Sequence, residues 1–154
     1  ERAAAYSVRR RTFFFGREIR HCGWETDSVT RLFDKRRAGY PEMWVHANMD
    51  VNGPVGRFRG RLLHYTYTSM EQYFEKFGRY TTWSAKDLAE RGRRATLLNL
   101  LARPLCRFLK MYLLRLGFLD GLPGAVLCGL AACSVFTKYA KLWEMQHKKG
   151  SRGA

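Results

Sequence analysis

The residues of this chain best suited to chemistry lie in three short stretches: Trp24 to Asp27, His46, and the arginine-rich run from Arg57 to His64. A carboxylate such as Asp27 can accept a proton from a hydroxyl, and an imidazole such as His46 can orient a phosphate or a hydroxyl. His46 reads equally well as a structural histidine bonded to a loop carbonyl. Glu25, Glu42 and Asp50 offer the same carboxylate chemistry, and each reads first as a surface or turn acid. His64, between Leu63 and Tyr65, reads first as a satisfied core histidine and second as a substrate contact. Trp24 beside Gly23 offers an apolar platform for a sugar ring or a lipid, or else a core ring. Arg57, Arg59 and Arg61 alternate at period two and share one face if they form a strand. Such a face can hold a pyrophosphate through charge-assisted hydrogen bonds, with a solvated strand face as the default.

No metal-ligand pattern is present. Cys22, Cys106, Cys128 and Cys133 are scattered without a C-x-x-C pair, which argues against a structural zinc site. Three of the four sit among apolar neighbours, as expected of small buried hydrophobes in a reducing compartment.

The elements that must position these residues divide into a front part and a helical part. Arg9 to Arg11 followed by Phe13 to Phe15 follows no clean period, and reads as a loop or short helix that lays rings on a core. Val29 to Phe33 reads as a strand, Asp34 to Glu42 as a turn, and Met43 to Val45 as a second short strand. Val51 to Pro54 is a turn in which Gly53 supplies the unusual backbone angles. Val55 to Tyr67 is extended, with Leu62, Leu63, Tyr65 and Tyr67 expected in a buried strand. Ser69 and Gln72 then form a capping box, and Met70, Tyr73, Phe74, Phe77 and Tyr80 make an apolar stripe down a helix to about Arg91.

Pro104 fits the first turn of a further helix. There Leu105, Phe108, Leu109, Tyr112, Leu113 and Leu116 fall on one side, and Arg103, Arg107 and Lys110 on the other. No acidic residue occurs between Glu90 and Asp120, while seven Arg or Lys do. A helix of this kind can lie in an anionic membrane interface. The residues expected there are Arg103, Arg107, Lys110, Phe108 and Tyr112. Gly121 to Thr137 is uncharged and reads as a buried or membrane-dipping helix, short for a full span.

The whole chain has 154 residues, 46% of them hydrophobic, which suits one domain with a real core. Its 28 Lys and Arg against 13 Asp and Glu give a formal charge of +15. That balance predicts an anionic partner: nucleic acid, an anionic membrane face or a phosphorylated substrate. The opening Glu1-Arg2 lacks an initiator Met, which suggests a truncated chain, and no signal peptide is visible.

Several motifs occur in a telling order: H-C-G-W (His21 to Trp24), D-x-x-x-R-L-F (Asp27 to Phe33), V-H (Val45, His46) and G-P-V-G (Gly53 to Gly56). L-L-H-Y (Leu62 to Tyr65), G-F-L-D-G (Gly117 to Gly121) and K-Y-A-K-L-W-E (Lys138 to Glu144) follow. Together they resemble the C-terminal half of family 2 glycosyltransferases related to the lipopolysaccharide-core glucosyltransferases. The resemblance runs from Phe13 to Glu144 and implies an α/β fold of the GT-A type. In it, a short β-unit precedes amphipathic and apolar α-helices.

On that reading residues 1–67 form the acceptor side of a catalytic domain. Residues 68–147 form a basic, membrane-associated helical extension, and 148–154 a disordered tail. The implied activity transfers a sugar from a nucleotide-sugar donor to a lipid-linked saccharide or lipopolysaccharide-core-type acceptor, at the cytoplasmic face of the inner membrane. The donor site and its divalent metal, Mg²⁺ or Mn²⁺, are expected in a missing N-terminal half, with no cofactor in this chain and no activity from it alone. Cutting such a sheet is expected to leave an exposed strand edge and an apolar face.

In relatives the V-H histidine is usually followed by Glu, the natural base. Here that position is Ala47, which cannot take a proton, so Asp27 becomes the first candidate, with His46 beside it. Trp24, Arg57, Arg59 and His64 are the implied substrate contacts. The chief alternative is a basic nucleic-acid-binding module, suited by the charge, the aromatic content and the R-F-R-G-R run. It fits poorly with charge set beside long apolar helices. A non-catalytic membrane scaffold is a third reading, and it leaves the strand-turn-strand unit without a purpose.

Overall fold

The computed structural model describes residues 3–40 and 49–150. The architecture is mixed α/β: small sheets at the front and three helices behind. Strand β1 (Ala5–Phe14) is central. It pairs antiparallel with β2 (Arg17–Ile19) and β3 (Ser28–Phe33), and parallel with β6 (Val55–Tyr67). A separate two-stranded ribbon joins β4 (Ala38–Gly39) to β5 (Asp50–Val51). The Val51-to-Pro54 turn and the Val29-to-Phe33 strand are as expected, whereas Met43 to Val45 lie outside the described residues.

The Arg9-to-Phe14 stretch corrects the loop reading. Thr12 and Phe14 are buried and Arg10 is half-buried, while Arg9 and Arg11 are exposed. The three arginines simply alternate across a strand, as side chains must at period two. A two-residue turn at Phe15 and Gly16, both at positive φ (48° and 75°), returns the chain into β2. That is the primed turn a twisted hairpin prefers. On the outer face Phe13 stacks on Tyr65 with centroids 4.8 Å apart.

A second correction concerns β6. Leu62, Leu63 and Tyr65 are 40%, 54% and 62% exposed, not buried. The reason is position: among the described residues β6 pairs with β1 alone, so its other edge is open.

Helix α1 (Met70–Glu90) starts where Ser69 accepts from the Gln72 amide. The return bond goes one residue further back than a strict capping box, from Thr68 N–H to Gln72 Oε1 at 2.9 Å. Of its apolar stripe, Tyr73 and Phe77 join the core beside Phe14, while Phe74 and Tyr80 stay about half exposed.

Helix α2 (Leu97–Leu109) is capped by Thr96 and so begins earlier than Pro104 suggested; Pro104 lies inside it. An interior proline removes one backbone donor and strains the preceding turn. A π-helical turn, Lys110–Leu114, and a 3₁₀ turn, Gly117–Asp120, then lead into α3 (Gly121–Gly150).

Helix α3 packs against both α1 and α2, burying Leu127, Cys128, Tyr139 and Leu142. The segment 117–148 contains an 18-residue stretch of mean hydropathy 1.6, long and apolar enough to cross a membrane by length and composition. Helix α3 runs to Gly150, past the expected boundary at 147, and 151–154 lie outside the described residues.

The cysteines also depart from expectation. Cys22 and Cys128 are buried, and Cys106 and Cys133 are exposed. An apolar sequence neighbourhood does not bury a side chain when the helix turns that face outward.

Candidate functional site

The helix-facing side of the sheet meets α1 and α3 across a cleft with two chambers. The sheet-side chamber has a volume of about 520 Å³ and is lined by Arg10, Thr12, Trp24, Asp27, His64 and Tyr67, among others. A turn from Trp24 to Asp27, closed by Asp27 N–H donating to Trp24 C=O at 3.2 Å, presents both side chains to it. The Arg10 amide donates to Asp27 C=O at 2.9 Å, fixing that turn to β1.

Arg10 organises the chamber. Its Nη2 lies 2.6 Å from Asp27 Oδ2, and its Nη1 lies 3.3 Å from His64 Nε2. A guanidinium has only donors, so Nε2 of His64 must accept, which makes His64 the neutral Nδ1–H tautomer. Burial, reinforced by the Arg10 charge, holds the His64 pKa below its usual value. Among the described residues two buried polar atoms here have no hydrogen-bond partner: Thr12 Oγ1 and Arg10 Nε. Thr12 is 3% exposed. Buried polar groups are normally paired, and these two are exceptions at the chamber wall.

The helix-side chamber, about 480 Å³, shares Trp24, Tyr67, Ser84 and Ser134 with the first. It continues to Arg107, Met111 and Lys138. Lys138 is half-buried, and desolvation, then Arg103 and Arg107, push its pKa down.

A staple under the cleft joins sheet to helices. The Asp120 side chain is 5% exposed and accepts from the backbone amides of Arg20 (3.1 Å) and His21 (2.9 Å). Its Oδ1 also lies 3.0 Å from His21 Nδ1. The H-C-G-W and G-F-L-D-G motifs are therefore one structural unit. Cys22 Sγ sits 3.7 Å from Cys128 Sγ, and burial pushes the Cys22 thiol well above its ordinary value. A Cβ on Gly117 would come within 3.0 Å of both sulfurs and 2.8 Å of Met111 C=O, so only glycine fits there.

The structure brings Trp24, Asp27 and His64 together. It places Arg57 and Arg59 elsewhere: Arg57 pairs with Ser7, Arg59 sits in an irregularity opposite no β1 residue, and both are exposed. Arg61 lines a neighbouring pocket with Arg10, Glu18 and Trp24. Glu25 pairs with Arg115 at 3.5 Å, and Asp50 lies on the β4–β5 ribbon. His46, Ala47 and Glu42 lie outside the described residues.

The expected membrane residues divide. Phe108 and Tyr112 stack on each other and pack against the core. Arg103 stands over the Tyr139 ring of α3, Arg107 lines the inner chamber, and Lys110 is exposed. The most exposed apolar face of α2 is that of Leu97, Leu98, Leu101 and Leu105, all 58–72% exposed, and Leu109, Leu113 and Leu116 of the expected face are exposed as well. Helix α2 thus turns leucines outward, while its two arginines, both exposed, stand at the α3 edge, Arg103 over Tyr139 and Arg107 at the chamber mouth. Sequence reasoning missed Arg10, Thr12 and Ser134. The period-two signal of Arg10, Thr12 and Phe14 was available for the first two.

Among the described residues no group of three His, Cys, Asp or Glu side chains is placed to hold a metal ion.

The chain is similar to curated glycosyltransferases. It is 26% identical to an uncharacterized glycosyltransferase of Rickettsia prowazekii (strain Madrid E) over 157 residues, covering 96% of this chain and 54% of the relative. A counterpart from Rickettsia typhi (strain ATCC VR-144 / Wilmington) matches at 26% with the same coverage. The lipopolysaccharide core biosynthesis glycosyltransferase LpsC of Rhizobium meliloti (strain 1021) is 30% identical over 104 residues, 62% of this chain and 38% of that protein. The chain spans about half the length of the Rickettsia relatives it matches. No family model and no solved structure matches it. The nucleic-acid-binding alternative finds no support in these comparisons.

Proposed function

We propose that this chain forms the acceptor-side wall of a glycosyltransferase. It would act with a donor-binding portion of the kind that completes its relatives' length. The observation that carries the reading is the sheet-side chamber, where Asp27, His64 and Trp24 converge around Arg10 and two buried polar atoms lack partners.

In this reading a sugar of the acceptor lies against Trp24, with its hydroxyls beside Arg10 and Asp27. Asp27 is held through Oδ2 by Arg10, while Oδ1 takes the proton of the attacking hydroxyl. That hydroxyl oxygen forms the new glycosidic bond as the bond from the donor sugar to its nucleotide diphosphate breaks. Neutral His64 orients the hydroxyl. The acceptor is a lipid-linked saccharide of the lipopolysaccharide-core type, the class that the name of LpsC prints. The GT-A fold, and a divalent metal, Mg²⁺ or Mn²⁺, are assigned to the complete enzyme, the metal to its other portion.

The outward leucine face of α2 supports peripheral attachment to the cytoplasmic face of the inner membrane. Vesicle flotation of the chain should be lost in a Leu98→Glu/Leu101→Glu variant that melts normally; undiminished flotation removes the membrane reading. The enzyme reading is tested by transfer of a labelled sugar from nucleotide sugars to lipopolysaccharide core, by the polypeptide carrying both portions. Asp27→Asn should lower kcat by about 10²-fold or more with little change in melting temperature. Full activity of that variant would show that Asp27 is not the base.

A further inference from the structure

We propose that the helix-side chamber is a binding site for a phosphoryl group, a phosphomonoester or diphosphate, held by Lys138 and Arg107 with Arg103 behind them. The inference goes beyond the acceptor wall, and its test requires no sugar transfer.

Three cations converge here without a counter-charge. Arg103 Cζ and Lys138 Nζ each lie 5.4 Å from the centroid of the same Tyr139 ring. Arg107 and Lys138 line one chamber. Among the described residues no carboxylate pairs with any of the three, and the hydrogen bond of Arg103 goes to neutral Asn99, at 2.7 Å. Tyr139 is 5% exposed, so the ring that the two cations share is a fixed platform.

Lys141, one turn further along α3, provides an internal control. Its Nζ donates to Gly78 C=O, Thr81 Oγ1 and Thr82 Oγ1 at 2.8–2.9 Å, three acceptors for three protons. The fold thus supplies oxygens to one part-buried ammonium and none to the other. A part-buried ammonium without acceptors is costly, and anionic ligand oxygens would complete it.

The geometry limits the ligand. A chamber of about 480 Å³ is of the size that takes a small ligand, with room for a phosphoryl group and more. Because Trp24, Tyr67, Ser84 and Ser134 also line the sheet-side chamber, one ligand can place its phosphate here and its hydroxyl-rich part beside Arg10 and Thr12. The phosphate can come from a lipid headgroup or from a soluble phosphorylated sugar.

The test is calorimetric titration of the full chain with inorganic pyrophosphate, alongside Lys138→Met, Arg107→Met and the control Arg59→Gln. Lys138→Met and Arg107→Met should each weaken binding about tenfold, and Arg59→Gln less than about twofold. Equal losses in all three would mean diffuse attraction to a +15 chain and would overturn the site. As a variant-free readout, pyrophosphate should protect Lys138 of the unmodified chain from acetylation while leaving exposed Lys86 reactive. Equal reactivity of both with and without pyrophosphate also overturns it.

Two arms then separate the sources. If Lys138→Met weakens binding to phosphatidylglycerol vesicles and pyrophosphate competes with them, the phosphate is a lipid headgroup. If vesicle binding is unchanged and glucose 1-phosphate binding falls, it is a soluble phosphosugar.

Discussion

In the sheet-side chamber Arg10 is engaged twice, by Asp27 at 2.6 Å and by His64 at 3.3 Å, whereas in the helix-side chamber Lys138 and Arg107 meet no carboxylate among the described residues. The first arrangement spends its charge on holding side chains in place. The second leaves charge for something that arrives. A cation with a fixed partner positions a site; a cation with none, in a part-buried chamber, repels its neighbours until an anion enters. Helix α2 carries no carboxylate, and one placed near Arg107 would fill the chamber from within.

The sharpest test of the frame common to both chambers is Asp120→Ala. It strands two backbone amides and His21 at the joint beneath the cleft, and should cost about 3 kcal/mol in chemical denaturation. A loss under about 1 kcal/mol would show that the chambers do not share this support.

Arg10→Met comes next. Asp27 and Arg10 side chains are 32% and 22% exposed, so removing the cation leaves a part-buried carboxylate and imidazole unpaired. The expected loss is about 1–2 kcal/mol.

Lys138→Met should do the opposite, leaving stability unchanged or raising it by up to about 1 kcal/mol, because it removes a poorly solvated cation that faces Arg103 and Arg107. The linkage has a defined sign. A lysine whose folded pKa lies below its ordinary 10.5 keeps its proton longer in the unfolded chain. Unmodified protein therefore gains stability on Lys138→Met as pH rises through the folded pKa toward 10.5. Parallel alkaline melting curves for the two proteins would contradict an unsatisfied Lys138.

The smallest effect belongs to His64. Its folded pKa lies below 6.5, so the unfolded chain binds the proton first on acidification. Stability is full above 6.5 and is lost as pH falls through the folded value, by less than about 1 kcal/mol, and His64→Gln should flatten that slope. In Arg10→Met the His64 midpoint, followed by its imidazole proton resonances, should move up, since one cause of the depression is gone.

Much of the fold was legible locally. Ser69 and Gln72 announced α1, Gly53-Pro54 announced the turn before β6, and Val29 to Phe33 announced β3, because caps, turns and β-branched runs act within a few residues. The three-arginine run was misread because three arginines followed by three phenylalanines show no clean period, although a strand needs only alternate side chains of such a run to be exposed. Pro104 was misread because its preference for a first turn is statistical, and Thr96 provided a stronger start signal further back.

By itself, the sequence determined β3, β6 and α1, the excess of positive charge and the resemblance to glycosyltransferases. Tertiary structure alone decided that Arg10 stands between Asp27 and His64. It also decided that Asp120 reaches back about a hundred residues to cap Arg20 and His21, and that α2 points its leucines out and sets its arginines along α3. The physical reason is that a helical wheel shows which residues share a face, whereas only the packing of α3 against α1 and α2 decides which way that face is turned.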